Sequence, residues 1–278
     1  MIAVCVKWVD GLSEPGDDRF AGISPADQAA LEMALVHAAA VGTTVTVVTA
    51  GPAAAERALR DALACGASAA VRIDVSTALP ASSIADLLAS SVRDATWVWC
   101  GDYSSDRGTG SLPAFLAGRL GCAQALGVVA VELGSDVAGD GLRVTRRLDG
   151  GRRELLAVES PAVVSVEGSV ATLRRAPLAS LLAVRTTAIT VIVAPAATVS
   201  ADGGSSLSAT IHDYRPRARV LPAPQGDHPL DRLRALTDAG AAAASHGETV
   251  HLSAHDAALR IIDTLRGWGY LHDSTTSP

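Results

Sequence analysis

Aromatic residues are scarce in this chain: tryptophan, tyrosine and phenylalanine make up 3% of its 278 residues, although 49% are hydrophobic. Any core must therefore be assembled from Ala, Val and Leu, a mixture that suits thin helices laid on Val-rich strands. Cysteine is scarcer still. The four present, Cys5, Cys65, Cys100 and Cys122, show no metal-ligand spacing, and three sit in or beside apolar runs. They read as small buried hydrophobes in a reducing compartment, which excludes a disulfide-stapled scaffold. Positive charge is in the minority, and the formal net charge of −6 argues against nucleic acid as the main partner, because phosphate neutralisation needs a basic face. Basic residues crowd only in RVTRRLDGGRR, Arg143 to Arg153, where the two glycines read as a hairpin turn with solvated flanks. No apolar run reaches the ~20 residues that span a bilayer. The opening MIAVCVKWVD is too short and turns acidic too soon for a signal peptide, so a cytoplasmic location is expected.

Catalytic signatures are missing too. There is no GxSxG elbow and no GKS or GKT phosphate loop, so a nucleotide-dependent hydrolase would lack any visible nucleophile or base. The histidines, His37, His212, His228, His246, His251, His255 and His272, include no zinc-protease motif. His251 and His255 lie four apart, but the LSA between them reads as a strand end and helix cap rather than a metal site. No independent catalytic centre and no metal are expected.

What is present is alternation. Four short runs rich in β-branched residues, IAVCVKWV from Ile2, TTVTVVTA from Thr43, AAVRIDV from Ala69 and ATWVWCG from Ala95, are separated by helical patterns. This order predicts an α/β fold, an open and mostly parallel sheet flanked by helices with right-handed crossovers, of the Rossmann-like, nucleotide-binding kind. Ser24 as N-cap, Pro25 at the first helical position, Asp27 in the first turn and Gly42 as the stop announce the first helix. Pro52 and Gly66 bracket the second, the third starts after Pro80, and the fourth runs from near Gly110 to Gly121. Beyond Gly121, LGVVAVEL, LRVTRRL and RELLAVE read as a meander with a turn at Asp149 to Gly151, and PAVVSV as one more central strand. From Ala194 a Pro- and Gly-rich stretch reads as a linker or arm, with helical patterns at LDRLRALTDAGAAAA and SAHDAALRIIDTLRGWGYL. The expected division is a nucleotide-binding domain with a β hairpin over residues 1–193, and a linker, arm and helices over 194–278.

The stretch WCGDYSSDRGTG, Trp99 to Gly110, joins the fourth strand to its helix through small and polar residues. It is either an ordinary turn or an anion cradle, in which backbone N–H groups converge at a helix N-terminus. Its place at the carboxyl end of a parallel strand favours a ligand. Thr109 and Ser111 are candidates to bond phosphate oxygens, Arg107 to add charge, and Asp106 to cap the helix or bond a ribose hydroxyl.

Several stretches, in the right order, are similar to the beta subunit of electron transfer flavoproteins. VCVKWVD, from Val4, resembles that family's opening VCVKQVPD. ISPADQAALEMAL, from Ile23, is similar to INPFDEIALEEAL, and VTVVTAGPAAAERALRDALACGAS, from Val45, follows the family's second helix unit. CGDYSSDRGTGSLPAFLAGRLG, from Cys100, aligns without a gap to CGKQAIDGDTGQVGPMLAELLG, and VTRRLDGGRRELLAVESPAVVSV to a family hairpin and strand.

The resemblance implies a heterodimer with an alpha subunit, FAD held mainly by alpha, and a structural AMP in this chain. The flavin would carry electrons from a dehydrogenase to an acceptor. Carried over by position, the backbone at Val4, Cys5 and Val6 would meet adenine. Asp106, Thr109, Gly110, Ser111 and Leu112, with Arg107, would surround ribose and phosphate. LRRAPLASLLAVR resembles the family's PRYASLPNIMKAK, a protruding loop gripped by dehydrogenases, and places Leu178 at the anchoring leucine; the other reading is a short amphipathic helix packed on its own domain. Asp102 and Tyr103 replace the family's Lys-Gln, Ser111 replaces Gln, and Ala26 replaces an aromatic expected near the flavin. The Ala-, Arg- and Val-rich composition suits a divergent actinobacterial member, of the type associated with mycofactocin-dependent dehydrogenases. Two alternatives stay open: a bifurcating subunit with a second FAD in the same crevice, and a stand-alone nucleotide-binding protein of the universal-stress type.

Overall fold

The computed structural model of the chain describes residues 1–9, 21–75, 79–133, 141–194, 228–236, 250–268 and 270. The chain divides into two compact units, Met1–Ala209 and Thr210–Pro278. The first unit is built on a nine-stranded sheet: β1 (Ile2–Cys5), β2 (Val45–Gly51), β3 (Ala69–Asp74), β4 (Trp97–Gly101), β5 (Ala123–Leu133), β6 (Leu142–Arg147), β7 (Arg153–Val158), β8 (Ala162–Val166) and β9 (Thr190–Val193). Their spatial order is β7-β6-β5-β8-β4-β1-β2-β3-β9. Every neighbouring pair is parallel except β5–β6 and β6–β7, which are antiparallel. The α/β, mostly parallel architecture expected from the alternation of runs is thus the observed one.

Four helices of this unit follow the signals in the sequence. α1 (Pro25–Val41) begins at Ser24, whose side chain accepts a hydrogen bond from the Asp27 N–H, and ends at Gly42 in the left-handed region. α2 (Glu56–Cys65) is preceded by a 3₁₀ turn at Ala53–Ala55, α3 (Ala81–Val92) starts directly after Pro80, and α4 (Leu112–Leu120) starts after Ser111. α4 therefore opens two residues later than the position near Gly110 that composition pointed to. Between β4 and α4 the glycine-rich stretch is loop.

The core lies on both faces of the sheet, and strand alternation decides which residue faces where. Ile2, Val4, Trp97 and Trp99 pack on the α1 side with Ala29, Ala30, Leu31 and Ala34, whereas Ala3, Cys5, Val98 and Cys100 pack on the side of α3 and α4. Alanine along α1 lets the helix lie close to the sheet, which leaves room for the two tryptophans beneath it. Trp97 and Trp99 are 1% and 0% exposed, and both meet the ring of the buried His37 edge-on.

β8 enters the sheet between β4 and β5, parallel to both, as the apolar run PAVVSV implied. The hairpin β6–β7 turns through Asp149–Gly151. β9, absent from the sequence expectations, pairs with β3 at the opposite edge. Its run of β-branched residues was the available signal. α5 (Leu178–Ala183) precedes it, a helix with no buried residue.

In the second unit two helices are described, α6 (Pro229–Leu236) and α7 (Ala254–Gly267), within the two predicted helical patterns. Ser253 caps α7, its hydroxyl accepting from the Asp256 N–H at 3.1 Å. Residues 195–227 and 237–249, covering most of the predicted arm and the AGAAAA end of its first pattern, lie outside the described residues.

A candidate nucleotide crevice at the switch point

After β1 the chain adds β2 and β3 on one side, and then returns to place β4 on the other side of β1. The loops leaving β1 and β4 consequently diverge, and a crevice opens at the carboxyl ends of the two strands, where open α/β sheets take their ligands. It is a cleft open to solvent. Cys5, Val6, Cys100 and Gly101 form its floor, Ala50, Leu79, Ile84 and Leu88 an apolar wall, and loop 102–111 the polar side.

Side-chain hydrogen bonds fasten that loop to its surroundings. The Lys7 ammonium donates to both carboxylate oxygens of Asp106 at 2.6 Å and lies 3.4 Å from the Ser104 hydroxyl. The Arg107 guanidinium donates to the Leu79 carbonyl at 2.8 Å, across the crevice. Burial works to raise the Asp106 carboxyl, but hydrogen bonds from Lys7, Ser104 and the Arg107 backbone outweigh it and bring it down to about 2. Asp102 shifts the other way, raised first by burial and then by the nearby Glu167 carboxylate.

Within the loop, Gly110 has φ +59°, and a Cβ there would sit 2.5 Å from the Asp102 carbonyl oxygen. Only glycine fits this turn, which brings the backbone to the start of α4. The hydroxyls of Thr109 and Ser111 lie 3.1 Å apart beside it. On the floor, Cys5 and Cys100 are directly opposed on the parallel strands. A hydrogen bond with Cys5 and then burial push the Cys100 thiol well up, which makes it a structural rather than a reactive group.

Of the residues the sequence nominated, Cys5, Val6, Arg107, Thr109, Gly110, Ser111 and Leu112 come together around the crevice. Val4 does not line it. Its backbone, the part set against adenine by the resemblance, sits within the strand ladders to β2 and β4, and its side chain packs on the α1 face. Asp106 is at the rim in its ion pair with Lys7. Leu178 belongs to a different place, the first turn of α5, where it is 71% exposed beside the exposed Leu181 and Leu182. Lys7 and Leu79 were not among the nominated residues, and Asp27 was read only as a first-turn acid.

Asp27 is 5% exposed. Its Oδ2 accepts from the Lys7 N–H at 3.1 Å and its Oδ1 from the Gly101 N–H at 3.3 Å. The Ser24 hydroxyl, which accepts from the Asp27 N–H, donates to the Tyr103 carbonyl at 3.0 Å. Burial drives the carboxyl up from 3.8 to about 7 against the opposing pull of these hydrogen bonds. Two glycines give α1 its close seat: a Cβ on Gly101 would meet Asp27 Oδ1 at 2.6 Å, and one on Gly168 would meet Pro25 Cβ at 3.0 Å.

With this geometry in view, residues 17–198 match the electron transfer flavoprotein domain. The chain belongs to the electron transfer flavoprotein beta family. It is similar to Protein FixA of Azorhizobium caulinodans, with 33% identity over 169 residues, 58% of this chain and 59% of that protein. It is also similar to electron transfer flavoprotein subunit beta of Clostridium acetobutylicum, with 31% identity over 178 residues, 59% of this chain and 67% of that one. The counterpart in Thermoanaerobacterium thermosaccharolyticum is 34% identical over 147 residues, 51% of this chain and 55% of its own. The chain spans about three fifths of the length of the curated relatives it matches first.

The family match takes in everything from α1 to β9 and leaves α6 and α7 outside. No helix among the described residues is long and apolar enough to cross a membrane. Among the same residues no cluster of three metal-ligating side chains occurs.

Proposed function

We propose that the chain is a beta-type subunit that pairs with an FAD-binding alpha subunit and helps carry electrons from a dehydrogenase to a downstream acceptor, with AMP bound in its own crevice. The observation that carries this reading is the positive-φ turn at Gly110 pressed against the Asp102 carbonyl at the start of α4, beside the switch point of the sheet. Such a turn lets backbone N–H groups approach a phosphate closely. The apolar wall of Leu79, Ile84 and Leu88 suits an adenine ring, and the hydroxyls of Thr109 and Ser111 suit phosphate oxygens. The residues present therefore fit AMP. The flavin, when held by the alpha subunit, supplies the electron-accepting chemistry. This chain's part is to bind the nucleotide, present docking surface and orient the donor.

Co-expression with candidate alpha subunits, followed by denaturation and quantification of released cofactors, tests the reading. One AMP and one FAD per heterodimer is the expected result. Two FAD would assign the crevice to a bifurcating redox site, and a colourless homodimer binding ATP would move the chain to the universal-stress type.

The exposed leucines of α5 support a docking role for that segment. Leu178, 71% exposed, stands with the exposed Leu181 and Leu182 as an apolar surface that suits cover by a partner. Leu178→Ala is expected to slow electron delivery from the dehydrogenase by about tenfold or more at subsaturating concentrations. Flavin content should be unchanged, and an unaltered rate would assign α5 to packing.

A further inference from the structure

We propose that Asp27 is a positioning residue for the nucleotide crevice, its carboxylate tying the exits of β1 and β4 to the first turn of α1 so that floor and loop keep the spacing that retains the ligand. The inference deepens the AMP reading and rests on it. Three segments distant in sequence meet at this one group. The Lys7 N–H lies just beyond β1, the Gly101 N–H ends β4, and the Ser24 hydroxyl links the same helix start to the Tyr103 carbonyl in the loop. The next link comes from Lys7 itself, whose ammonium holds Asp106 and Ser104. Floor, loop and helix are therefore connected through a single buried carboxylate. Asp27 shares in the α1 cap through hydrogen bonds from Ser24, and its two oxygens also reach the Lys7 and Gly101 N–H groups at the exits of β1 and β4.

The titratable and charged groups on the elements around Asp27 are Cys5 and Lys7 from β1, Cys100, Asp102 and Asp106 from the β4 side, and Glu167 after β8. The Lys7 ammonium is turned to Asp106, Asp102 responds to Glu167, and the negative charge of Asp27 itself helps raise Cys100. An ionised carboxylate accepts both N–H groups as charge-assisted bonds, whereas a protonated one accepts them more weakly. Burial places that change at about pH 7. Retention of the nucleotide should accordingly strengthen as Asp27 ionises.

The test uses the full chain, loaded with AMP, and compares wild type with Asp27→Asn. An asparagine keeps the shape, but its amide nitrogen faces one of the two N–H donors and leaves it unpaired. AMP carries its own phosphate ionisation near pH 6, so the diagnostic is the difference between the two profiles. Wild type is expected to bind AMP about tenfold more tightly at about pH 8.5 than at about pH 5.5 beyond whatever dependence the variant retains. The variant should bind at the weaker level throughout. In parallel, the Lys7 and Gly101 amides should lose hydrogen-exchange protection in the variant.

Identical profiles, or unchanged protection of both amides, overturn the proposal. If Asp27→Asn fails to fold, wild type alone decides with adenosine, which lacks the phosphate, as the probe: affinity that is flat across the same pH range overturns it. A wild-type chain that binds no AMP at any pH sinks the nucleotide reading instead. The amide protection then still reports whether Asp27 fastens the strand exits.

Discussion

Gly101→Val is expected to leave no soluble folded protein, and Gly101→Ala to cost about 3 kcal/mol. On a unit of this size that loss corresponds to a fall in the melting midpoint of about 6–12 °C. The reason is space rather than backbone conformation. The added carbon would sit 2.6 Å from Asp27 Oδ1, 2.8 Å from the Asp27 nitrogen and 2.9 Å from the Ala26 carbonyl carbon. Two of these are backbone atoms in the first turn of a buried helix, so no side-chain rotation relieves the contact. Either α1 moves away from β4, opening the layer that holds Trp97 and Trp99, or the end of β4 bends. A thermal melt of the alanine variant is the measurement. An unchanged midpoint would mean that α1 slides along the sheet at little cost.

Gly110→Val should behave differently: the protein folds but purifies with less than about a tenth of the wild-type nucleotide. Gly110 is exposed, and its substitution strains a loop instead of a core. A side chain at φ +59° costs about 1–2 kcal/mol in the backbone, and the contact with the Asp102 carbonyl forces the turn to open. Once the turn opens, the N–H groups beside the start of α4 no longer point at one spot. The two glycine variants thus separate stability from ligand retention. Measuring bound AMP together with the melting midpoint of the nucleotide-free chain checks both, and full nucleotide content in Gly110→Val would remove this loop from the binding site.

Much of this fold could be read from local signals. Ser24, Pro25 and Gly42 bound α1 because caps and stops act within a few residues. PAVVSV could be placed in the sheet because a fully apolar run needs cover on both faces. What local patterns do not carry is pairing across long separations. Lys7 and Asp106 are 99 residues apart, and Asp27 and Gly101 are 74 apart. Each residue is unremarkable in its own segment, and only the crossover of β4 to the far side of β1 brings them together. β9 went unread because a four-residue edge strand, exposed throughout, lacks the alternation that marks a half-buried one.

The late entry of β8 has a consequence for how the molecule is made. β4 and β5 are separated in the sheet by a strand that follows both in the chain, with the whole β6–β7 hairpin synthesised in between. As the chain leaves the ribosome, β1 to β4 can assemble with α1 to α3 while one flank of β4 waits about sixty residues for its neighbour. Gly168, the other seat of the α1 start, arrives at the end of that same wait. The flank of β4 is therefore closed, and the start of α1 seated on Gly168, only after the hairpin has been made.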